Sequence, residues 1–219
     1  MKQDFYEIVS NERIAPSVYR MVLSGDTSPI TAPGQFVNIK IPELYLRRPI
    51  SICDWDDKTL TLIYKTVGEG TEELSRMKPG GRLDLLIALG NGYDTEPSGD
   101  TPLLVGGGVG IPPLFGLCKA LIAEGKTVNV ILGFNTAGEI FLEKEFRALG
   151  ANVAVTTADG SYGLKGFVDA AMKYAEYTYF YTCGPKPMFR AVNAVAKTSG
   201  QFSFEAVSYT HLTLPTNRE

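Results

Sequence analysis

The centre of the chain reads Leu103-Leu104-Val105-Gly106-Gly107-Gly108-Val109-Gly110-Ile111-Pro112-Pro113, an apolar run followed by glycines and two prolines. This order predicts a strand, a glycine-rich turn and a helix that begins at a proline. Glycine lets the backbone approach a ligand closely, and the free N–H groups at the start of a helix attract an anion. Gly106 and Gly108 match the first two glycines of the dinucleotide-binding fingerprint, but Ile111 stands where the third is expected. The stretch predicts a nucleotide phosphate site, with a ligand-free glycine turn as its alternative.

The chain beyond this stretch alternates between helical and extended patterns. The next predicted helix ends at Gly125, and its apolar face is formed by Leu114, Leu117, Leu121 and Ile122. Further strands are predicted at 128–132, 153–157 and 177–182, and further helices at 143–149, after 166 and at 187–197. Because strands and helices alternate, we expect a parallel α/β sheet.

The first part of the chain has a different pattern. Short alternating runs at 19–23, 36–41 and 59–64 are separated by turn sequences, and one short helix begins near Thr71. This arrangement predicts a small antiparallel β-barrel. Residues 96–102 are rich in proline, glycine and polar side chains, which is typical of a linker.

The sequence therefore predicts a β + α/β fold. We expect an antiparallel β-barrel domain over residues 1–97 and a parallel α/β nucleotide-binding domain over residues 98–204. The last residues, 205–219, match neither pattern and are predicted to be a tail outside both domains.

The composition argues against several kinds of partner. The net charge of −3 is spread over interspersed charges, so the chain has no basic stripe for nucleic acid and no polybasic run for a membrane surface. Residues 1–7 contain no apolar signal core, and no apolar run is long enough to span a bilayer, so we expect a cytoplasmic protein. Cys53, Cys118 and Cys183 are too widely separated for a disulfide framework or a metal site, and they are predicted to be free thiols.

One segment of the predicted barrel carries a guanidinium and a hydroxyl close together. Arg48 can bind a diphosphate through two parallel hydrogen bonds, and Ser51 can bond a ring nitrogen or carbonyl. The alternative is an ordinary surface pair, Arg47 and Arg48, that precedes a strand.

A second segment of the barrel also suits an anion. Gly70 and Thr71 open the short helix, where free backbone N–H groups favour phosphate. Tyr64 and Lys65 lie just before it and can add a ring and a positive charge. An ordinary capped helix with Tyr64 in the core is the alternative.

Six ordered motifs resemble those of the ferredoxin-NADP reductase superfamily. They are Arg48-Pro49-Ile50-Ser51, Gly68-Glu69-Gly70-Thr71, Leu89-Gly90-Asn91-Gly92, Gly106-Gly107-Gly108-Val109-Gly110, Asp159-Gly160-Ser161-Tyr162-Gly163 and Cys183-Gly184-Pro185 with Met188. Within that superfamily the chain resembles the electron-transfer subunit family of the NAD-dependent dihydroorotate dehydrogenase. The resemblance extends over roughly residues 5–205, and the motifs together are far more specific than any one of them.

The resemblance implies two cofactor sites. In the barrel, the implied FAD ligands are Arg48, Pro49, Ile50, Ser51, Ile63, Tyr64, Lys65, Gly70 and Thr71. In the α/β domain, the residues implied to hold NAD(H) are Gly106, Gly107, Gly108, Val109, Gly110, Asp159, Gly160 and Ser161, with Cys183, Gly184 and Pro185 beside the nicotinamide.

The resemblance implies no catalytic acid or base. Cys183 is expected to pack and position, because no second cysteine is close enough in sequence for a disulfide shuttle. Residues 133–139 contain no cationic side chain to read a 2′-phosphate, so the sequence favours NAD over NADP.

The implied function is electron transfer in de novo pyrimidine (UMP) biosynthesis. Such a subunit passes electrons from a catalytic subunit, which oxidises dihydroorotate, through FAD to NAD, and the family implies a heterotetramer with two copies of each subunit. Two alternatives stay open at this point. One is a stand-alone NAD(P)H-dependent flavin or ferredoxin reductase, and the other is a non-catalytic docking module whose nucleotide sites have decayed.

The C-terminal segment departs from the family pattern. Members carry a cysteine-rich segment whose thiolates bind a [2Fe–2S] cluster, but this sequence has no cysteine after Cys183. We interpret residues 206–219 as a foreign junction, with a natural variant that lacks the cluster as the alternative. A chain of this kind is expected to keep electron exchange between flavin and NAD and to lose the relay to the partner. The tail contains His211, the only histidine, and we expect no metal site there.

Overall fold

The computed structural model describes residues 2–199 and 204–207. The chain divides into two compact units, each with a hydrophobic core of its own. Within the described residues, the first unit comprises 2–94 with Phe115–Leu117, and the second comprises Thr95–Leu114 with 118–199 and 204–207.

The first unit is a closed antiparallel barrel. Its strands are β1 (Lys2–Ala15), β2 (Val18–Ser24), β3 (Phe36–Lys40), β4 (Arg48–Trp55), β5 (Thr59–Lys65) and β6 (Arg82–Leu89). They pair in the order β1-β2-β5-β4-β3-β6, and β6 closes on β1. Alternate residues point inward, so Met21, Val37 and Leu62 meet in the core, and closure leaves no exposed strand edge.

One helix interrupts the barrel strands. Helix α1 (Glu69–Arg76) lies between β5 and β6 and buries Gly70, Thr71 and Leu74. It begins two residues before the predicted start near Thr71, because the hydrogen bonds from the backbone of Thr71 and Glu72 to the Gly68 carbonyl close the first turn earlier.

The second unit is a six-stranded sheet with helices. Its elements are β7 (Leu103–Gly107), α2 (Pro112–Ala123), β8 (Asn129–Phe134), α3 (Glu143–Ala148), β9 (Asn152–Thr157), β10 (Leu164–Lys165), α4 (Val168–Met172), β11 (Phe180–Cys183), α5 (Lys186–Ser199) and β12 (Phe204–Val207). All pairs are parallel, in the order β10-β9-β8-β7-β11-β12. The predicted fold class, a β-barrel followed by a parallel α/β domain, is confirmed.

The strand order positions a binding site. The chain adds β8, β9 and β10 on one side of β7 and then returns to add β11 and β12 on the other side. The carboxyl ends of β7 and β11 therefore flank a topological switch point, which is where open α/β sheets bind their ligands.

The segment predicted to be a linker is packed against the second unit. A short 3₁₀ helix forms at Glu96–Ser98, and Ser98 is fully buried. The Ser98 carbonyl accepts a hydrogen bond from the Thr178 hydroxyl at 2.6 Å, and the Asp100 carbonyl accepts one from the backbone N–H of Thr127 at 2.9 Å. The segment is therefore packed rather than free, because groups remote in sequence, the Thr178 hydroxyl and the Thr127 backbone N–H, satisfy its carbonyls.

The residues predicted to form a tail are part of the sheet at their beginning. The backbone of Phe204–Val207 pairs in parallel with Phe180–Cys183, so β12 extends three residues beyond position 204. The prediction missed this strand because its pairing partner is β11, which no local pattern reveals. Residues 208–219, including His211, lie outside the described part of the chain.

Over residues 2–199 and 204–207, none of the helices combines the length and the apolar composition that crossing a membrane requires.

Candidate functional site

The two neighbouring arginines at the start of β4 have different surroundings. Arg47 is committed to the barrel wall: its Nη2 atom lies 2.9 Å from Asp84 Oδ2, and its Nη1 atom donates to the carbonyls of Asn38 and Asp84. Arg48 donates from Nη1 to the Leu46 carbonyl, and the rest of its guanidinium lies beside Gly70. Arg47 is therefore part of the barrel wall, whereas Arg48 is a candidate for binding a diphosphate.

The contact between Arg48 and Gly70 forms a cradle at the start of α1. A Cβ atom on Gly70 would lie 2.1 Å from Arg48 Nε, so only glycine permits this approach. The guanidinium thus lies at the first turn of the helix, where free N–H groups and the helix dipole also favour negative charge. A diphosphate is the kind of group that this pair of features can hold.

Thr71 contributes to the cradle through its turn. Its hydroxyl oxygen accepts hydrogen bonds from the backbone N–H groups of Val67, at 2.9 Å, and Gly68, at 3.3 Å, and it donates to the Gly68 carbonyl at 2.9 Å. The hydroxyl is therefore engaged within the turn. Its observed action is to hold the first turn of α1 in place.

The other predicted FAD ligands lie on β4 and β5. Pro49, Ile50 and Ser51 are half-buried on β4 and pair with β3. On β5, Lys65 is exposed, whereas Ile63 and Tyr64 are 3% and 2% exposed. Tyr64 belongs to the barrel core, which favours the packing alternative for its ring.

At the switch point, the glycine turn after β7 meets the end of β11. A Cβ on Gly110 would lie 2.3 Å from the Cys183 carbonyl oxygen, and one on Gly107 would lie 2.7 Å from Met188 Sδ. A Cβ on Gly184 would lie 2.5 Å from Cε at the end of the Met188 side chain. These contacts bring the two predicted NAD motifs together.

One position of this turn faces open space. Gly108 has a φ of +52°, and no atom lies within 4 Å of the place that its Cβ would occupy. Glycine is favoured there by backbone conformation, and the space beside it is free for a ligand. The glycine turn thus fits a dinucleotide at the switch point, as the geometry of such folds requires.

The loop of Asp159, Gly160 and Ser161 lies further along the same sheet edge. The Ser161 hydroxyl donates to Asp159 Oδ1 at 2.6 Å and accepts from the backbone N–H of Ala137 at 2.8 Å. The pKa of Asp159 lies below its usual value, first because the Ser161 hydroxyl donates to the carboxylate and also because the Ser161 backbone N–H does. Hydrogen bonds therefore join this loop to the loop after β8.

Two residues near these motifs, Met188 and Glu139, were not among the predicted site residues. Met188 fills the space between Gly107 and Gly184, although it was noted only as part of a motif. Glu139 accepts hydrogen bonds through Oε2 from the backbone N–H of Asn135, at 3.1 Å, and from its side-chain amide, at 3.0 Å. A carboxylate that follows the second strand of a nucleotide-binding sheet is the signal that could have identified Glu139.

The cysteines are free and buried, as predicted. Burial raises the pKa of the Cys118 thiol to about 12, so this thiol stays protonated near neutral pH. Within the described residues, no group of histidine, cysteine, aspartate or glutamate side chains is arranged to hold a metal ion. The described residues therefore do not fit an iron–sulfur cluster.

Comparisons with known proteins agree with this fold. Residues 104–194 match the family model described as oxidoreductase NAD-binding domain. A ferredoxin NADP⁺ reductase from Neisseria gonorrhoeae, solved with bound FAD and NADP, has a TM-score of 0.82 over 95% of this chain and 99% of its own, at 18% identity. That likeness concerns the fold.

Curated relatives are closer in sequence. The electron transfer subunit of dihydroorotate dehydrogenase B (NAD(+)) from a Geobacillus species is 42% identical over 202 residues, which cover 88% of this chain and 78% of the relative. The subunit of the same name from Bacillus velezensis is 44% identical over 203 residues, with the same coverage of each chain. The chain belongs to the family of dihydroorotate dehydrogenase B (NAD(+)) electron transfer subunits.

Proposed function

We propose that this chain is the electron-transfer subunit of an NAD-dependent dihydroorotate dehydrogenase and serves pyrimidine biosynthesis. It would bind FAD in the barrel and NAD(H) at the sheet and support electron exchange between them, which is the flavin-to-NAD half of a reaction whose electrons a catalytic subunit takes from dihydroorotate. The observation that carries the proposal is the family membership, at 42–44% identity over most of the chain. The two glycine cradles support it because each fits a nucleotide phosphate.

The contact between Arg48 and Gly70 supports the binding of FAD at this cradle of the barrel. The missing Cβ of Gly70 leaves room for Arg48 at the first turn of α1. Arg48 would hold the diphosphate there, and Thr71 would keep the turn in shape. We propose that the rest of the cofactor lies along β4 and β5, beside Pro49, Ile50, Ser51, Ile63, Tyr64 and Lys65. Lys65 would supply an exposed positive charge, and Tyr64 would pack in the core behind the surface residues. FAD supplies the redox chemistry, since its ring can exchange a hydride with nicotinamide and can exchange single electrons with other carriers.

NAD(H) fits the glycine turn of the second unit. Gly106, Gly107, Gly108, Val109 and Gly110 would lie against its diphosphate, and Cys183, Gly184 and Pro185 would border the nicotinamide. Because glycines make up most of this turn, its backbone can approach the diphosphate closely and offer N–H groups as hydrogen-bond donors. The loop of Asp159, Gly160 and Ser161 would close over the ligand. The chain's own contribution is thus to bind and orient, and we assign it no general acid or base.

We propose NAD as the natural nucleotide, as the sequence predicts. The loop after β8 presents Glu139, which is fixed by two hydrogen bonds from Asn135, and Asp159 lies on the adjacent loop. Two carboxylates on adjoining loops would repel a 2′-phosphate, which adds charge to this end of the nucleotide.

We propose no step through an iron–sulfur cluster, because the described residues do not fit one. The partner we propose is a catalytic subunit that oxidises dihydroorotate, in the heterotetramer that the resemblance implies. We propose no role with nucleic acid or a membrane, because the surface charge is mixed and near neutral.

The test begins with the purified chain, incubated with excess FAD and then freed of unbound cofactor. We expect a yellow protein with one flavin per chain that oxidises NADH, with NADPH much the poorer donor, when ferricyanide accepts the electrons. A protein that stays colourless after this treatment would overturn the proposal.

A second measurement separates the proposed subunit from a stand-alone reductase. The chain is co-expressed with the catalytic subunit of an NAD-dependent dihydroorotate dehydrogenase, and a tag on that subunit is used for purification. We expect the two chains to purify together and to migrate as one complex in gel filtration. A flavin-containing chain that oxidises NADH but is never retained by the partner would instead be an independent reductase.

A further inference from the structure

The amide of Asn11 connects two parts of the barrel that are remote in sequence. Asn11 lies half-buried on β1. Its Nδ2 atom donates to the carbonyls of Leu74, at 2.9 Å, and Met77, at 3.1 Å, and its Oδ1 atom accepts a hydrogen bond from the Tyr64 hydroxyl at 3.0 Å. One side chain therefore ties β1 to the end of α1 and to β5.

The chemistry of the partners fixes the orientation of this amide. Backbone carbonyls only accept hydrogen bonds, so the NH₂ group of Asn11 has to face Leu74 and Met77. Its oxygen then faces Tyr64, whose hydroxyl must donate. Burial raises the pKa of the Tyr64 hydroxyl, which keeps its proton available over the working pH range. The three hydrogen bonds thus permit a single arrangement.

Helix α1 depends on such outside contacts. A helix of eight residues is marginal by itself, and the carbonyls of its last turn have few partners within the helix. Leu74, which is fully buried, and the amide of Asn11 hold its end. Gly70 precedes Leu74 by one helical turn, roughly 6 Å along the axis. A displacement of the helix end would therefore also displace the turn that carries Gly70.

Tyr64 is fixed by the same amide. Its ring stacks on Tyr19, with centroids 5.8 Å apart and planes 16° apart, and its hydroxyl reaches Asn11. The ring therefore cannot turn or slide along β5 without breaking the bond. Asn11 thereby connects the end of α1 with β5, the strand that precedes α1 in the chain.

We propose that Asn11 is a positioning residue for the flavin diphosphate: by holding the end of α1 it keeps Gly70 at the distance from Arg48 that the phosphate cradle needs. This inference rests on the proposed binding of FAD in the barrel. Asn11 has no contact with Arg48 or Gly70 among the described hydrogen bonds, so its action passes through the helix.

The test compares the FAD affinity of three single-substitution variants of this chain with that of wild type. Asn11→Ala removes all three hydrogen bonds, and Asn11→Asp keeps the acceptor for Tyr64 but turns carboxylate oxygens toward the two carbonyls. Asn152→Asp is the matched control, because Asn152 also uses its Nδ2 atom in a hydrogen bond, to Asn129 at 3.1 Å in the second unit. Each protein is stripped of flavin and titrated with FAD by fluorescence.

We expect both Asn11 variants to raise the Kd for FAD roughly tenfold, the effect of losing two ordinary hydrogen bonds, and the control to stay within about twofold of wild type. Once FAD is saturating, the KM for NADH in the Asn11 variants should equal that of wild type. This separation distinguishes a positioning role from general damage, which would alter both constants.

Three other outcomes are decisive. If the Asn11 variants bind FAD like wild type, Asn11 does not position the cradle, even when their thermal stability falls. If Asn11→Asp binds FAD normally while Asn11→Ala does not, the bond to Tyr64 matters and the tie to α1 is refuted. If wild type itself binds no FAD, the proposed function fails first and this inference fails with it. Should Asn11→Ala not fold, Asn11→Asp alone provides the comparison.

Discussion

Arg47 and Arg48 are residues of the same type that have different surroundings and different expected roles. The two are neighbours in the sequence and carry the same charge, yet Arg47 is held by Asp84 and by two carbonyls in the barrel wall. Arg48 lies at the helix start, against Gly70. Removal of Arg47 would leave Asp84 without its ion-pair partner, so its loss should cost stability. Removal of Arg48 should lower the affinity for FAD.

Arg48→Ala is expected to weaken FAD binding roughly ten- to a hundredfold, because a charge-assisted hydrogen bond to phosphate is lost. Arg48→Lys should recover little of this, since an ammonium cannot bind two oxygens as a planar fork. Arg76→Ala, at the exposed end of α1, is the control with the same change in charge. Flavin content after gel filtration and Kd by fluorescence titration are the measurements. An Arg48→Ala protein that keeps one flavin per chain would refute the assignment.

Gly70→Ala should reduce FAD affinity in a different way. Its Cβ would lie 2.1 Å from Arg48 Nε, so the guanidinium must leave the helix start. The control, Gly68→Ala, adds a methyl group where no atom lies within 4 Å, in extended backbone with φ 171°. We expect a tenfold or larger rise in the Kd for FAD for Gly70→Ala only, roughly the cost of one lost charged contact. Equal affinities in the two variants would contradict the cradle.

Single turns decide the geometry at both candidate sites. Helix α1 is closed by Thr71 at one end and tied to Asn11 at the other. The turn after β7 is held against the end of β11 through Gly110 and Cys183. In each case glycine is needed because another group approaches too closely for a Cβ.

Gly110→Ala tests the contact between the β7 turn and β11. Its Cβ would lie 2.3 Å from the Cys183 carbonyl, and neither partner can yield easily because both are backbone. We expect a loss of about 1–3 kcal/mol in the free energy of unfolding, the range for overpacked sites, together with a higher KM for NADH. Gly138→Ala is the stability control, as its nearest neighbour would lie 3.8 Å away. Urea unfolding and NADH oxidation measure the two effects, and unchanged stability of Gly110→Ala would show that the contact is not tight.

The response of the whole molecule to acid should depend on a charge cluster at the start of β1. Lys2 Nζ lies 2.8 Å from Asp26 Oδ2 and 2.9 Å from Asp4 Oδ2. The hydrogen bond from Lys2, assisted by Ser28, lowers the pKa of Asp26 from its ordinary 3.8 to about 2. Because the folded pKa is depressed, this carboxylate stabilises the fold above its ordinary pKa, and the contribution disappears as pH falls toward 2.

Asp26→Asn should therefore lower the thermal midpoint near neutral pH by a small amount, and the difference from wild type should shrink to nothing between about pH 4 and pH 2. The exposed pair should also be weaker in high salt, since exposed charges are screened. Calorimetry at a series of pH values and salt concentrations provides the test, with Asp57→Asn as a control for charge alone. A difference that persists below pH 2 would show that hydrogen bonding, and not charge, is what the substitution removes.

Local patterns predicted most elements of the fold. Strand β5 at Thr59–Lys65 and helix α3 at Glu143–Ala148 begin where the sequence indicates, because apolar periodicity and turn residues are local signals. The pairing of β12 with β11 and the packing of residues 96–102 were missed. Both depend on partners many residues away, which a local pattern does not contain.

The residues of the candidate sites divide in the same way, into those that a local motif marks and those that it does not. Arg48, Gly70 and the glycine turn were predicted as site residues from motifs, because binding of phosphate by backbone requires particular residues in a particular order. The roles of Asn11, Glu139 and Met188 were not found. The partners of Asn11 lie 53 to 66 positions away, so nothing in its sequence neighbourhood marks it.

The amino-acid sequence by itself determined the two kinds of domain, the family resemblance and the motifs that suit two nucleotides, because these depend on periodicity and on residue types in a fixed order. Only the tertiary structure decided which arginine faces the helix start, that the glycine turn meets the end of β11, and that one asparagine ties β1 to α1. The physical reason is that hydrogen bonds and close packing act over a few ångströms of space, whatever the separation of the residues along the chain.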